Sequence, residues 1–152
     1  MERSELVAKL EESTANGNWE DAVRILETIV DGEEDSSATA RYYYTAGVIY
    51  RDELDDPNKA VEHFEHALDA DPANMLMSFE AIHRILSDRQ RWMDLERSHR
   101  RMIARLQQLE DPSLVNIQAS LWTNLGNIHK DHLGDEETAR EAFRIGELLN
   151  QG

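Results

Sequence analysis

Cysteine is absent from the 152 residues, which excludes a disulfide framework, a thiol nucleophile and a cysteine-based zinc site. Basic residues are scarce: 16 Lys and Arg stand against 31 Asp and Glu, and the net charge of −15 argues against nucleic acid or an anionic membrane as partner. No apolar run approaches the roughly 18 residues of a membrane span, and the first residues lack the regions of a signal peptide. We therefore expect a soluble, acidic, cytoplasmic domain.

Only three prolines occur, and each follows an aspartate, as is typical of a capped helix start. Elsewhere apolar residues recur at helical spacing, and no stretch alternates like a strand. The pattern predicts an all-α fold of about eight helices in a single domain, 1–152. The predicted helices span 3–15, 19–31, 37–53, 57–70, 74–88, 91–109, 113–132 and 135–149. Because the connections are short, consecutive helices should pack antiparallel as hairpins.

Two stretches of the chain share one template of large, small and aromatic residues. The first reads Tyr43-x2-Ala46-Gly47-x2-Tyr50 and then Ala60-x3-Phe64; the second reads Trp122-x2-Leu125-Gly126-x2-His129 and then Ala139-x3-Phe143. A glycine inside a helix costs up to about 1 kcal/mol relative to alanine, so its recurrence at one offset suggests a packing role. We expect Gly47 and Gly126 to let the second helix of each hairpin approach closely.

This template resembles the tetratricopeptide repeat, whose pattern is W-x2-L-G-x2-Y, A-x3-F and then P. Two further stretches match this pattern more weakly. They are Gly17-x-Trp19-x2-Ala22-x3-Leu26 and Phe79-x2-Ile82-His83-x2-Leu86 with Trp92-x2-Leu95. In the latter, His83 replaces the small residue and Leu95 the alanine, so we expect a wider helix contact there. The resemblance implies four hairpins, at 3–35, 37–72, 73–110 and 113–149, stacked into a right-handed superhelix with a concave face.

In this family the first helix of each pair usually lines the concave groove. The resemblance thus implies a partner-binding groove of Arg41, Tyr44, Thr45, Val48, Arg84, Thr123, Asn124 and Asn127, with Asp131 on the same face. This mixture suits a peptide, because amides bond its backbone and Tyr44 can stack on it; an ordinary solvated face is the alternative. The carboxylate clamp of some family members does not carry over, since Thr45, Met77 and Ala81 stand at its positions.

A second candidate surface is a stripe of arginines on the sixth helix. Arg97, Arg101 and Arg105 stand at i, i+4 and i+8 within a segment rich in arginine. Like charges at this spacing repel mildly, so something should compensate them. Three interpretations stay open: neutralisation by an acidic helix carrying Glu62, Glu65 and Asp69, docking of an acidic partner segment, or binding of RNA or phosphate.

Two histidine pairs, His63-x2-His66 and His129-x2-His132, have the i, i+3 spacing at which two side chains could reach one metal ion. Neither pair forms an H-E-x-x-H motif, and no Walker loop, G-x-S-x-G or G-x-G-x-x-G motif occurs. We therefore predict no catalytic residue, no metal and no cofactor.

The sequence thus predicts a non-catalytic protein–protein interaction module, present as a monomer or weak homodimer. It would bind a protein or peptide partner in the groove or along the arginine stripe. The alternatives are a piece of a longer repeat array or multidomain protein, a self-associating repeat domain, and a histidine-based metalloenzyme.

Overall fold

The computed structural model describes residues 2–151, so Met1 and Gly152 of the predicted domain lie outside the described part. Within that part the chain forms eight α-helices and no strand, which confirms the all-α prediction. The helices are α1 (Arg3–Ala15), α2 (Trp19–Asp31), α3 (Ser36–Asp52), α4 (Pro57–Ala70), α5 (Leu76–Asp88), α6 (Trp92–Gln108), α7 (Val115–Ile128) and α8 (Glu136–Gln151). Their bounds lie within two residues of the predicted ones, except at the C-terminal end of α7.

The segment predicted as one helix over 113–132 has three parts in the structure. A 3₁₀ turn, Pro112–Leu114, precedes α7, and a π-helical turn, His129–Leu133, follows it. Asp111 caps the first turn by accepting a hydrogen bond from the Ser113 backbone N–H at 2.9 Å. The π turn ends at Gly134, whose φ of +68° costs a glycine no strain.

Two of the three predicted Asp-Pro helix starts are confirmed. Asp56 caps α4 by accepting from the backbone N–H of Lys59, and Asp111 begins the 3₁₀ turn. The prediction is wrong at Asp71, which is the C-cap residue directly after α4. Its carboxylate instead accepts hydrogen bonds from Ser37 and from the amide of Asn74, and a turn separates it from α5.

The turn between the two helices of a hairpin repeats four times along the chain. In each case one residue with positive φ stands directly before the cap of the second helix: Gly17 (+71°), Asp55 (+49°), Gln90 (+57°) and Gly134 (+68°). The carbonyl oxygen of the next residue then accepts from the backbone N–H four residues on. These N–H groups belong to Ala22, Ala60, Leu95 and Ala139, each at 3.0 Å. The four positions are those that the repeat template aligns.

The described residues group into two compact units, residues 2–81 and residues 82–151. In the first unit, α1 packs on α2, α2 on α3 and α3 on α4; in the second, α6 packs on α7 and α7 on α8. Phe64 and Leu68 are fully buried in the first core, and Met102 and Leu125 in the second. No helix of residues 2–151 is long and apolar enough to cross a membrane. The single-domain organisation and the repeat bounds stay predictions.

The two strong copies of the template form the same contact between their helices. A Cβ atom placed on Gly47 would lie 2.6 Å from the ring of Phe64, and one placed on Gly126 would lie 2.6 Å from the ring of Phe143. No side chain larger than hydrogen fits at either position without movement of the ring. The predicted close approach of the second helix is therefore confirmed in both hairpins.

In the degenerate copy, two histidines occupy these positions. His83 stands in place of the glycine, and His99, four residues after Leu95, stands in place of the phenylalanine. Their rings meet edge to face with centroids 5.5 Å apart. His99 is fully buried, its Nδ1 lies 2.9 Å from the Leu95 carbonyl oxygen, and burial lowers its pKa to about 4. This contact therefore requires a neutral imidazole.

Candidate functional site

A cleft of about 310 Å³ opens in the second unit beside the ends of three helices. Its walls are the C-terminal part of α5, the start of α6, and the end of α7 with the π turn. The lining residues are His83, Ser87, Trp92, Leu95, Asn124, Asn127, Ile128, Asp131 and His132. The cleft is therefore mainly polar, with an aromatic side at Trp92.

Helical spacing brings the polar groups of each wall together. His83 and Ser87 are four residues apart on α5, and Asn124, Asn127 and Asp131 follow one another at intervals of three and four on α7 and the π turn. Residues at these intervals share one face of a helix. The two amides and the carboxylate thus form a single polar row along the α7 wall.

The aromatic side of the cleft is a stack of two rings. Trp92, the first residue of α6, and His132, in the π turn, lie with ring centroids 3.5 Å apart and planes 6° from parallel. The stack joins the start of α6 to the end of α7. The stack therefore fixes the position of the α6 wall relative to the α7 wall.

A second link between these walls lies at His129. Its Nε2 is 2.9 Å from Oε2 of Glu96, and the side chains are 8% and 12% exposed, respectively. Arg100 donates from Nε to the same carboxylate at 3.0 Å. A charge-assisted hydrogen bond of this kind, largely removed from water, is stronger than a neutral one. The Glu96 carboxylate therefore holds α6 and the π turn together beside the cleft.

Of the predicted groove residues in the second unit, Asn124 and Asn127 line the cleft and two others do not. Arg84 is exposed on α5 but is not one of the lining residues. Thr123 donates to the Ala119 carbonyl oxygen at 3.1 Å, and a Cβ atom on Gly146 would lie 2.9 Å from its hydroxyl oxygen. Thr123 is thus directed toward α8.

The other predicted groove residues lie on α3 of the first unit. Arg41 donates to the Ser37 hydroxyl at 3.4 Å, and Thr45 donates to the Arg41 carbonyl oxygen at 3.0 Å. Tyr44 is half-buried, with its ring centroid 5.5 Å from that of Phe64. Val48 is also half-buried. One side of the Tyr44 ring is therefore already used in packing within its hairpin.

Part of the arginine stripe is engaged within its own helix. Arg97 lies 3.5 Å from the Asp94 carboxylate, and Arg101 donates to the Ser98 hydroxyl at 3.2 Å. Arg105, the third member, is half-buried. Asp94 thus provides part of the charge compensation expected on this face, whereas the neutral Ser98 hydroxyl only accepts a hydrogen bond from Arg101.

Neither histidine pair is arranged to share a metal ion. The rings of His63 and His66 are nearly perpendicular with centroids 6.2 Å apart, and Nε2 of His63 is 3.4 Å from Glu27. In the other pair, His129 bonds Glu96 while His132 stacks on Trp92. Among residues 2–151, no group of three or more His, Cys, Asp or Glu could hold a metal ion.

Sequence reasoning missed the aromatic side of the cleft. The repeat template includes Trp92, which stands three residues before Leu95 at the start of α6, where Pro57 stands in the second copy. The spacing of His132 from His129 points to a metal pair and not to a ring stack. A larger cleft of about 400 Å³ lies along α1 and α2, and none of the predicted groove or stripe residues lines it.

Comparison with known proteins supports the repeat assignment. No curated protein matches the chain significantly. Residues 40–74, which hold most of α3 and all of α4, match the family model of the tetratricopeptide repeat.

Proposed function

We propose that the protein is a non-catalytic, cofactor-free interaction module of the cytoplasm that binds a segment of a protein partner in the cleft of its second unit. The tetratricopeptide repeat match supports the general function, because such repeats serve protein–protein interaction. The observation that carries the specific proposal is the polar row of Asn124, Asn127 and Asp131 opposite His83 and Ser87.

The cleft has the chemistry that an extended segment requires. Each asparagine amide offers both a donor and an acceptor, which matches the alternating N–H and C=O groups of a peptide backbone. Trp92 provides an aromatic surface for a side chain of the segment, as is common at interfaces. Because the Trp92–His132 stack and the Glu96–His129 bond hold the walls, binding costs little ordering entropy on the module's side.

The other predicted surfaces are less well supported as the main binding site. Arg97 and Arg101 already have partners within α6, and the net charge of −15 opposes RNA. Arg41, Tyr44, Thr45 and Val48 remain candidates for a separate contact on α3. We propose a monomer or weak homodimer as the binding form.

Site-specific photo-crosslinking in the source cells tests this function. A photoreactive phenylalanine analogue replaces Ser87 on the α5 wall of the cleft, and in a matched variant it replaces Glu147, an exposed residue of α8. We expect a discrete crosslinked protein from the cleft position, mapped by mass spectrometry to one segment of the partner. The Glu147 position should not give this product.

A further substitution separates specific binding from chance proximity. Asn124→Ala, made in the chain that carries the crosslinker at position 87, should reduce the crosslinked product severalfold while circular dichroism stays unchanged. The same product from both crosslinker positions, or no product from the cleft position, would contradict the proposal.

A further inference from the structure

The cleft in the second unit carries a negative charge that no lining residue balances. Asp131 is the acidic residue of the lining set, and neither lysine nor arginine belongs to that set. His83 is half-buried, and burial lowers its pKa, so this imidazole is neutral at pH 7. The Asp131 carboxylate is exposed on the same row as the two asparagine amides.

The basic residues near the cleft lie outside it or bind other carboxylates. Arg91, directly before Trp92, has its Nη2 2.7 Å from Asp94. Arg100 bonds Glu96. Lys130, adjacent to Asp131 in sequence, is exposed and is not a lining residue. A ligand in the cleft therefore meets a carboxylate, two amides and an aromatic ring, and no fixed cation.

We propose that the cleft selects a partner segment with a lysine or arginine side chain, whose cationic group pairs with Asp131. The aliphatic part of that side chain would lie against Trp92, as long basic side chains do on apolar surfaces, while Asn124 and Asn127 bond the segment's backbone. The same carboxylate disfavours a glutamate or aspartate side chain at this place, because like charges repel. This inference rests on the proposed function and specifies the chemistry of the partner.

Titration with short capped peptides tests the selectivity directly. The probes are acetyl-Gly-Lys-Gly-amide, its norleucine analogue of similar length without the charge, and its glutamate analogue. Each is added to the ¹⁵N-labelled full chain, and the side-chain amides of Asn124 and Asn127 and the indole N–H of Trp92 are followed by NMR. We expect saturable shifts with the lysine peptide and about fivefold weaker binding of the norleucine peptide, the scale of one partly exposed ion pair. The glutamate peptide should bind most weakly.

Two variants with the same change in net charge locate the effect. Asp131→Asn should make the lysine and norleucine peptides bind equally, whereas Glu147→Gln, on the exposed face of α8, should preserve the preference. Equal binding of the two peptides by the unaltered chain would overturn the inference but not the crosslinking result. A lysine preference that survives Asp131→Asn, or the absence of shifts at the cleft with any of the three peptides, would also overturn it.

Discussion

At the scale of single residues, the closest helix contact of a hairpin is made in two different ways. In the second and fourth copies a phenylalanine ring lies on a glycine, and in the third two imidazoles meet edge to face. The ring on glycine needs no polar partner, whereas each imidazole carries a nitrogen that must be hydrogen-bonded when buried. The contact on glycine is therefore sensitive to a larger side chain at the glycine position, whereas the imidazole contact is sensitive to protonation.

The size sensitivity gives a prediction for Gly47→Ala. The added methyl group would lie 2.6 Å from the fully buried ring of Phe64, so we expect a loss of about 1–3 kcal/mol in the free energy of unfolding. Gly126→Ala is the matched variant: it meets Phe143 at the same distance, but this ring is half-buried and freer to move, so its cost should be smaller. Urea unfolding of both variants measures the difference, and an equal or larger cost at Gly126 would contradict this account.

At the scale of elements, the link between α6 and the π turn depends on one carboxylate with two partners. Glu96 bonds His129 and Arg100 in a site where its side chain is 12% exposed. By contrast, Glu141 and Arg144 form an ion pair within α8 with exposed fractions of 57% and 61%. Exposed pairs contribute little to stability, and removing one member of a buried pair is costly because the other is left without a partner.

We expect Glu96→Ala to lower the free energy of unfolding by about 1–3 kcal/mol, because the Nε2 group of His129 stays buried without its partner. Glu141→Ala should change the free energy of unfolding much less, because its ion pair is exposed to water. Glu96→Gln, which keeps a hydrogen-bonding group, should fall between them. Denaturant unfolding followed by circular dichroism compares the three. If Glu96→Ala costs no more than Glu141→Ala, the carboxylate does not hold these elements together.

The same elements show how much of the fold and the site could be predicted from sequence. Gly47 and Gly126 could be assigned to the helix contact because the template places each at a fixed offset from a phenylalanine on the next helix. The Trp92–His132 stack could not be predicted, because the two residues lie 40 positions apart and their alignment depends on a π turn that no local sequence pattern indicates. The family resemblance places Asn124 and Asn127 on the groove face of their helix, whereas the cleft in front of them depends on the positions of three helices.

At the scale of the whole molecule, lowering the pH reduces the stability of the fold through two kinds of titratable group. Carboxylates at helix starts have lowered pKa values, at Asp135 because Thr138 donates to it and at Asp111 because Ser113 does. The stabilisation that they provide is lost as the pH falls to the region of a normal carboxylate and below. His99 reduces the stability at a higher pH than these carboxylates do, because its folded-state pKa of about 4 lies below the ordinary histidine value of 6.5.

This difference predicts a loss of stability that begins while the carboxylates are still ionised. Below pH 6.5 the unfolded chain takes up a proton at His99 that the folded chain excludes, so the free energy of unfolding should fall by about 2 kcal/mol between pH 7 and pH 5. The double variant His83→Gly with His99→Phe recreates the ring-on-glycine contact of the second hairpin and removes both imidazoles. It should lose about 2 kcal/mol less over the same interval. Urea unfolding at the two pH values gives the comparison. A double variant as acid-sensitive as the unaltered chain would show that the buried His99 is not the source, whatever its effect on stability at pH 7.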